Sequence, residues 1–303
     1  MLTKIFKKIH SLILRYRAAY SVKHNSPTGK SEYLEHPEEF AEITQLKRSS
    51  LNGAILRPLG FQYRGIEYTE TGINTLSNKQ RHIPFSDLNS PAKVATVFGF
   101  TAIFLPLKDG SIVKVAGLQT DEVPNFIAVV NEKFRKSVAE QFEAIEPEVR
   151  RLFEAVERLD SPQRYPAACL LSPFVARAKK IPQMLPSIIP EYALTTEQKT
   201  MLDTVLDFQD NPQKNRDVAI KKFIETELSR MQNFFDTIEA HPLTPEQRLA
   251  VVTDEDATLV LAGAGSGKTS VIVAKAAYLI ERGIRQPDET LLMAFGRDAA
   301  AEM

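Results

Sequence analysis

Tryptophan is absent from these 303 residues, cysteine occurs once, at Cys169, and there are only 13 glycines. A single thiol excludes an internal disulfide and a cysteine-built metal cluster, and with them the frameworks of small secreted domains. No run of ~20 apolar residues occurs, so no transmembrane segment is expected. The apolar core Leu12-Ile13-Leu14 is too short for the hydrophobic region of a signal peptide. Together these gaps make the cytoplasm the expected compartment. Net charge is missing as well, with 38 Lys and Arg set against 38 Asp and Glu.

That neutrality hides an asymmetry. The first 30 residues hold seven cations, from Lys4 to Lys30, and no acid. Ile5, Ile9, Leu12, Ile13 and Tyr16 recur there at helical spacing, which leaves one apolar side and one basic side. The arm suits a nucleic acid, a protein partner or an anionic surface, and equally a solvated helix face. With 43% hydrophobic and 25% charged residues, the remainder has the composition of a globular protein with room for two or three domains.

The pattern then changes along the chain. A polar linker covers residues 21–31, and residues 36–47 have helical spacing. Short apolar runs at 65–69, 72–76 and 82–85 suggest strands, and residues 101–107 and 112–115 suggest a hairpin about Asp109-Gly110. A helix is expected to follow, started by Thr120-Asp121-Glu122 and burying Phe126, Ile127, Val130 and Phe134. Residues 141–159 are charged and helical, and Pro162, Pro166, Pro173, Pro182, Pro186 and Pro190 mark a hinge or irregular connector. Further helices are expected over 195–208 and 218–238. The organisation is thus a basic N-terminal helical region (1–50), then a β-rich module with a C-terminal helix (51–138) similar in outline to pleckstrin-homology-like domains. A helical connector (139–240) and a nucleotide-binding start (241–303) follow.

A glycine-poor chain places three glycines within residues 263–267. Ala262-Gly263-Ala264-Gly265-Ser266-Gly267-Lys268-Thr269 lies between the apolar run 258–261 and an amphipathic stretch starting at Lys268. Strand, glycine-rich loop and helix in that order turn backbone N–H groups and a positive helix end toward phosphates. Lys268 would reach the outer phosphates of ATP, and Thr269 would ligand Mg²⁺. Position 262 is Ala where the common motif has Gly, and the bland alternative is a solvated turn. Thr195 and Gln198 have capping-box spacing in an echo of Leu243-Thr244-Pro245-Glu246-Gln247, but no phosphate loop follows the first of the two.

Leu243 to Arg248, Ala262 to Thr269 and Leu291 to Met303 together resemble the first three motifs of superfamily 1 helicases of the UvrD/Rep type, and most of all the DNA helicase IV branch. The resemblance implies a multidomain α+β N-terminal region followed by an incomplete RecA-like α/β P-loop domain, with residues 241–303 as the truncated start of a UvrD-like ATP-binding domain. It implies an ATP-dependent, 3'–5' helicase acting on single-stranded and duplex DNA, present as an N-terminal fragment and inactive alone. Gln247, whose amide both donates and accepts, would read adenine, with Arg248 beside it in the ATP-binding set. Phe295, Gly296 and Arg297 would meet single-stranded DNA. Two positions depart from the family: Ser270 stands where many relatives have Arg, and the acidic Asp298 where many have Lys. The acidic metal-binding segment that ATP hydrolysis requires is not found up to residue 303. An adaptor for DNA or a protein, with a vestigial nucleotide stub, is the competing reading. Another phosphate-loop protein, a kinase or transporter ATPase, is disfavoured by Gln247 and Phe295.

Overall fold

The computed structural model describes residues 44–48, 55–77, 79–118, 121–263, 265–294, 296–297 and 300. The basic arm, the linker over 21–31, Thr120, Ala264, Phe295 and Asp298 lie outside them.

Seven strands form two antiparallel sheets. In the first, β1 (Gln45–Lys47), β2 (Gly65–Tyr68), β3 (Gly72–Leu76) and β4 (Arg81–Pro84) neighbour one another in sequence order. The second is β5 (Lys93–Val97), β6 (Phe100–Pro106) and β7 (Ile112–Ala116), again in order. The hairpin at Asp109-Gly110 forms as expected: Ser111 N–H donates to Asp109 Oδ1 at 2.7 Å and Gly110 N–H to Leu107 O at 3.0 Å. Two strands correct the sequence reading. Residues 45–47, expected as helix, pair with β2 instead, because Leu46 reaches full burial beside Ile66 in the sheet core. β5, which was not expected at all, is built by Val94-Ala95-Thr96-Val97 against β6.

The two expected helices after the sheets are one. Helix α1 (Val123–Leu159) runs 37 residues, roughly 55 Å at 1.5 Å per residue. Its capping start also differs from expectation: Glu122 takes the N-cap position without a side-chain hydrogen bond, and Pro124 lies in the first turn. Val123, Phe126, Val130, Phe134 and Val138 complete the core of the β-sheets. Phe142, Val149, Leu152, Val156 and Leu159 belong to a second, all-helical core. Pro147 sits inside the helix and costs it a hydrogen bond, yet full burial of Phe142 and Val149 on either side carries it through.

That second core is completed by α2 (Ala168–Ala178), α3 (Ile181–Met184) and α4 (Thr196–Asp210). The proline-rich stretch is thus more ordered than an irregular connector, since Pro173 and Pro182 are accommodated within helices. Helix α5 (Pro212–Arg230) and the short α6 (Gln232–Thr237) replace the single helix expected over 218–238, with the break at Met231. A third core joins Met231 and Phe235 to Leu243, to Val251 and Val252 of α7 (Pro245–Val252), and to Ala274 and Tyr278 of α8 (Lys268–Glu281). No described helix is long and apolar enough to cross a membrane.

Candidate nucleotide site

The loop between α7 and α8 assembles around two left-handed glycines. Gly267 (φ 76°) is the N-cap of α8 and Gly265 has φ 72°. The positive φ favours glycine there, and a Cβ would fall 2.7 Å from Gln247 Nε2, so the Gln247 amide would have to shift to admit a side chain. Gln247 is fastened on both ends. Its Oε1 accepts from Thr244 N–H at 2.8 Å, while Thr244 Oγ1 accepts from Gln247 N–H at 3.3 Å, a full capping box at the start of α7. Its Nε2 donates to Ser266 O at 3.1 Å and ties α7 to the loop.

The echo at Thr195 makes the same box: Gln198 Oε1 accepts from Thr195 N–H at 3.0 Å. There the amide's free end goes to Glu146 Oε2 at 2.8 Å, a helix contact with no phosphate loop nearby. Residue spacing disclosed the first box, at Thr195, and the same spacing makes a box at Thr244 that the sequence reading did not name. The partner of the second amide end separates a structural cap from a candidate ligand-reading one.

Inside the loop, Lys268 Nζ donates to Gly263 O at 2.7 Å and Ser266 Oγ donates to the same carbonyl at 2.8 Å. Space around the loop is open: ideal Cβ atoms on Gly263 and Gly265 would meet nothing within 4 Å. The Lys268 ammonium, the exposed Gly263 and Gly265 and the amino end of α8 lie in one short segment, with no carboxylate bonded to any of them among the described residues. That donor set fits the phosphates of a nucleotide. Thr269 lies in the first turn of α8, where its hydroxyl is the group that would meet Mg²⁺. No group of three His, Cys, Asp or Glu side chains able to hold a metal ion occurs among the described residues.

Arg248 is placed differently. Its Nε donates to Leu243 O at 2.8 Å, its guanidinium pairs with Asp236 at 2.5 Å, and it lies 5.7 Å from the Phe235 ring centroid. It therefore joins α7 to α6 and does not reach the loop. Downstream, Gly296 and Arg297 are exposed, with Ala300 N–H donating to Gly296 O at 3.1 Å.

The two expected strands that should flank this loop are absent. Residues 258–261 and 291–293 have no strand pairing, and Leu259 (83%), Leu261 (86%), Leu291 (80%) and Met293 (79%) are exposed. A parallel strand needs at least one paired neighbour and cover on both faces, and among the described residues neither run has them. The helix expected from Lys268 forms because its inner face has a partner. Ala274 and Tyr278 pack on α7, and Lys275 Nζ donates to Val251 O at 2.9 Å and Thr253 O at 2.8 Å beside Asp254. Burial pushes the Lys275 ammonium below the usual lysine range, with Asp254 opposing it.

A further acidic connection was missed in the sequence. Directly after α7, Glu255 Oε1 accepts from Ala168 N–H at 2.7 Å and Asp256 Oδ2 from Cys169 N–H at 2.8 Å, so a segment 87 residues away caps α2. Glu255 also pairs with Arg216 of α5. Only a run of three acids, Asp254-Glu255-Asp256, hinted at it.

Residues 243–303 match the model of the UvrD/REP helicase N-terminal domain. An 81-residue stretch is 53% identical to DNA helicase IV of Escherichia coli K12, covering 27% of this chain and 12% of that protein. A 61-residue stretch is 49% identical to the putative ATP-dependent DNA helicase YjcD of Bacillus subtilis 168, covering 20% of this chain and 8% of that one. Another of 61 residues is 46% identical to the ATP-dependent DNA helicase UvrD1 of Mycobacterium leprae, with the same coverage, 20% and 8%. The chain thus spans about an eighth or less of the curated relatives it matches. No solved structure matches it. By its residues 243–303, this chain is related to the UvrD/REP-type DNA helicases.

Proposed function

We propose that the chain supplies the opening motifs of an ATP-dependent DNA helicase, and that the loop 262–269 receives the triphosphate within a RecA-like α/β domain. The observation that carries this reading is the hydrogen bond from Gln247 Nε2 to Ser266 O, which puts the adenine-reading candidate against the phosphate loop. Bound ATP with Mg²⁺ would supply the energy for movement along single-stranded DNA.

Each residue then has a defined task. Lys268 leaves Gly263 O to neutralise the outer phosphates, and the amides from Gly263 to Gly267 donate to the inner ones. Thr269 gives its hydroxyl to Mg²⁺, and Gln247 exchanges its contacts at Thr244 and Ser266 for the base. Phe295, Gly296 and Arg297 face single-stranded DNA, Phe295 by stacking and Arg297 at the backbone. The intact enzyme works in the cytoplasm on single-stranded and duplex DNA.

Titration with a fluorescent ATP analogue and Mg²⁺ tests this. The parent chain is expected to show saturable binding that Lys268→Ala abolishes. Equal affinity in parent and variant would remove the phosphate-loop assignment. The unpaired apolar runs at 258–261 and 291–293 favour a second reading, an adaptor whose nucleotide segment is vestigial. It prevails if the chain is folded through α5 and binds no nucleotide.

A further inference from the structure

On the β-rich module, far in sequence from the phosphate loop, lies a cleft of about 450 Å³ lined by Arg57, Gln62, Tyr63, Arg64, Ser77 and Lys79. The volume falls within the roughly 300–1,000 Å³ usual for ligand sites. Three of its six lining side chains are cationic and none is acidic. We propose that this cleft binds the phosphodiester backbone of single-stranded nucleic acid, with Tyr63 as the surface on which a base stacks.

The walls are built by the sheet. Arg57 sits in a 3-10 turn (Arg57–Leu59), while Gln62, Tyr63 and Arg64 lead into β2, and Ser77 and Lys79 form the turn between β3 and β4. Arg64 N–H donates to Leu76 O and Arg48 N–H to Arg64 O, both at 2.7 Å, so neighbouring strands bring the cations together. Arg48 lies beside them. Its guanidinium donates to Phe61 O at 3.2 Å, and its stem covers Gly117, where a Cβ would come 3.0 Å from Arg48 Cδ. Gly117 has φ +79°, so the space is kept by a residue that carries no side chain.

Like charges gathered without counterions are the informative part. Burial, then Arg57 and Arg64, lower the Arg48 guanidinium below its ordinary value. Several described cations elsewhere meet carboxylates, as Arg150 meets Glu146 and Glu197, Lys133 meets Glu70, and Arg282 meets Glu227. Among the described residues, Arg48, Arg57, Arg64 and Lys79 have no such partner. An anion that spreads its charge over successive phosphates relieves that repulsion at several points at once. Half-buried Tyr63, packed on the sheet core, is a rigid aromatic within the same cleft, and Gln62 and Ser77 add uncharged hydrogen-bonding groups. The choice of nucleic acid over a lipid surface rests on the helicase reading of residues 243–303.

The test is anisotropy of a fluorescein-labelled oligothymidylate titrated with the 303-residue chain across a salt series. Arg57 and Arg64 are exposed, so R57A/R64A is expected to keep the parent melting temperature. It is expected to bind at least about tenfold more weakly and to lower the slope of log K against log salt by about 1.4, two single-strand phosphate contacts. R57K/R64K restores the slope. Any contribution of the basic arm is common to all variants and cancels. Unchanged affinity and slope in R57A/R64A would overturn the proposal. So would binding to phosphatidylserine-rich vesicles that depends on these two arginines while oligonucleotide binding does not. Nucleotide titration of Lys268→Ala, run in parallel, separates the two readings. Loss of nucleotide with an inert cleft sinks this proposal alone, and a working cleft without nucleotide binding sinks the helicase reading alone.

Discussion

The carboxylate of Glu227, in α5, accepts a hydrogen bond from the hydroxyl of Tyr278, in α8, at 3.1 Å and across 51 positions of sequence. Arg282, which caps the C-terminal end of α8, pairs with the same oxygen, and Arg230 donates to the other at 3.0 Å. Glu227 and Tyr278 are both fully buried. Burial, followed by the Glu227 charge, drives the Tyr278 hydroxyl well above the ordinary tyrosine range, so it stays a donor. The helix that begins at the phosphate loop is thereby anchored at its far end.

Removing that anchor is expected to be costly. Glu227→Ala leaves Arg282 and Tyr278 facing a void, and a loss of about 3 kcal/mol is expected, since deleting one partner of a buried ionic cluster costs roughly 3–5 and the arginines are partly hydrated. Glu227→Gln keeps the shape and one acceptor and is expected to lose less. Denaturant melts followed by circular dichroism measure both, and a neutral Glu227→Ala would show the cluster to be dispensable.

The two capping boxes allow a matched comparison. Thr195→Ala and Thr244→Ala each remove one N-cap and are each expected to lower stability by about 1 kcal/mol. Only Thr244→Ala is expected to change the affinity for an ATP analogue, because only there does the capped glutamine also touch the loop. Equal effects on nucleotide affinity would separate Gln247 from the site.

Gly267→Ala forces a Cβ into a left-handed conformation and to within 2.7 Å of Gln247 Nε2. A loss of at least ~1–2 kcal/mol is expected from the backbone alone. Thermal melting monitors it, and an unchanged midpoint would mean that the loop rearranges freely.

Acid should release Glu255. Burial raises its carboxyl, but hydrogen bonds from Ala168 N–H, Asp256 N–H and Arg216 outweigh it and hold the group below its ordinary range. A carboxyl depressed in the folded state contributes stability that is present above its unfolded value and is lost as pH falls through the folded one. The melting temperature of the parent chain is therefore expected to fall below about pH 5, and that of Glu255→Gln to fall less over the same interval. Parallel pH profiles for the two would disconnect Glu255 from acid stability.

Cys169, the lone thiol, is exposed but held in its neutral form: the hydrogen bond with Asp256 comes first, then desolvation, and both raise its pKa. Alkylation by iodoacetamide at mildly alkaline pH is expected to be slower than for a free cysteine, since the thiolate is the nucleophile. Asp256→Asn is expected to accelerate it, and equal rates would contradict the assignment.

What the sequence disclosed followed the range of the forces involved. The Asp109-Gly110 hairpin, the Thr195–Gln198 cap and the helix from Lys268 depend on residues within a few positions of one another, and each was readable. β1 was not, because three residues become a strand only by pairing with β2 some twenty positions on. The continuity of α1 across Pro147 depends on two cores that the proline's local cost does not reveal. The runs 258–261 and 291–293 show the reverse failure. Their β-type composition was plain, but a strand is a relationship between chains, and these two have no neighbour among the described residues. The cleft at Arg57 and Arg64 was hidden in the same way, since its cations come from three separate segments, a 3-10 turn, the lead into β2 and the connection from β3 to β4.

A single rod shared by two interiors leaves neither free to loosen alone. Melting the half of α1 that ends at Val138 would strip the sheets of their lid and, by fraying the next turns, expose Phe142 of the neighbouring interior. Strand and helix signals from residues 55–210 should therefore vanish at one temperature, as a single cooperative unit does.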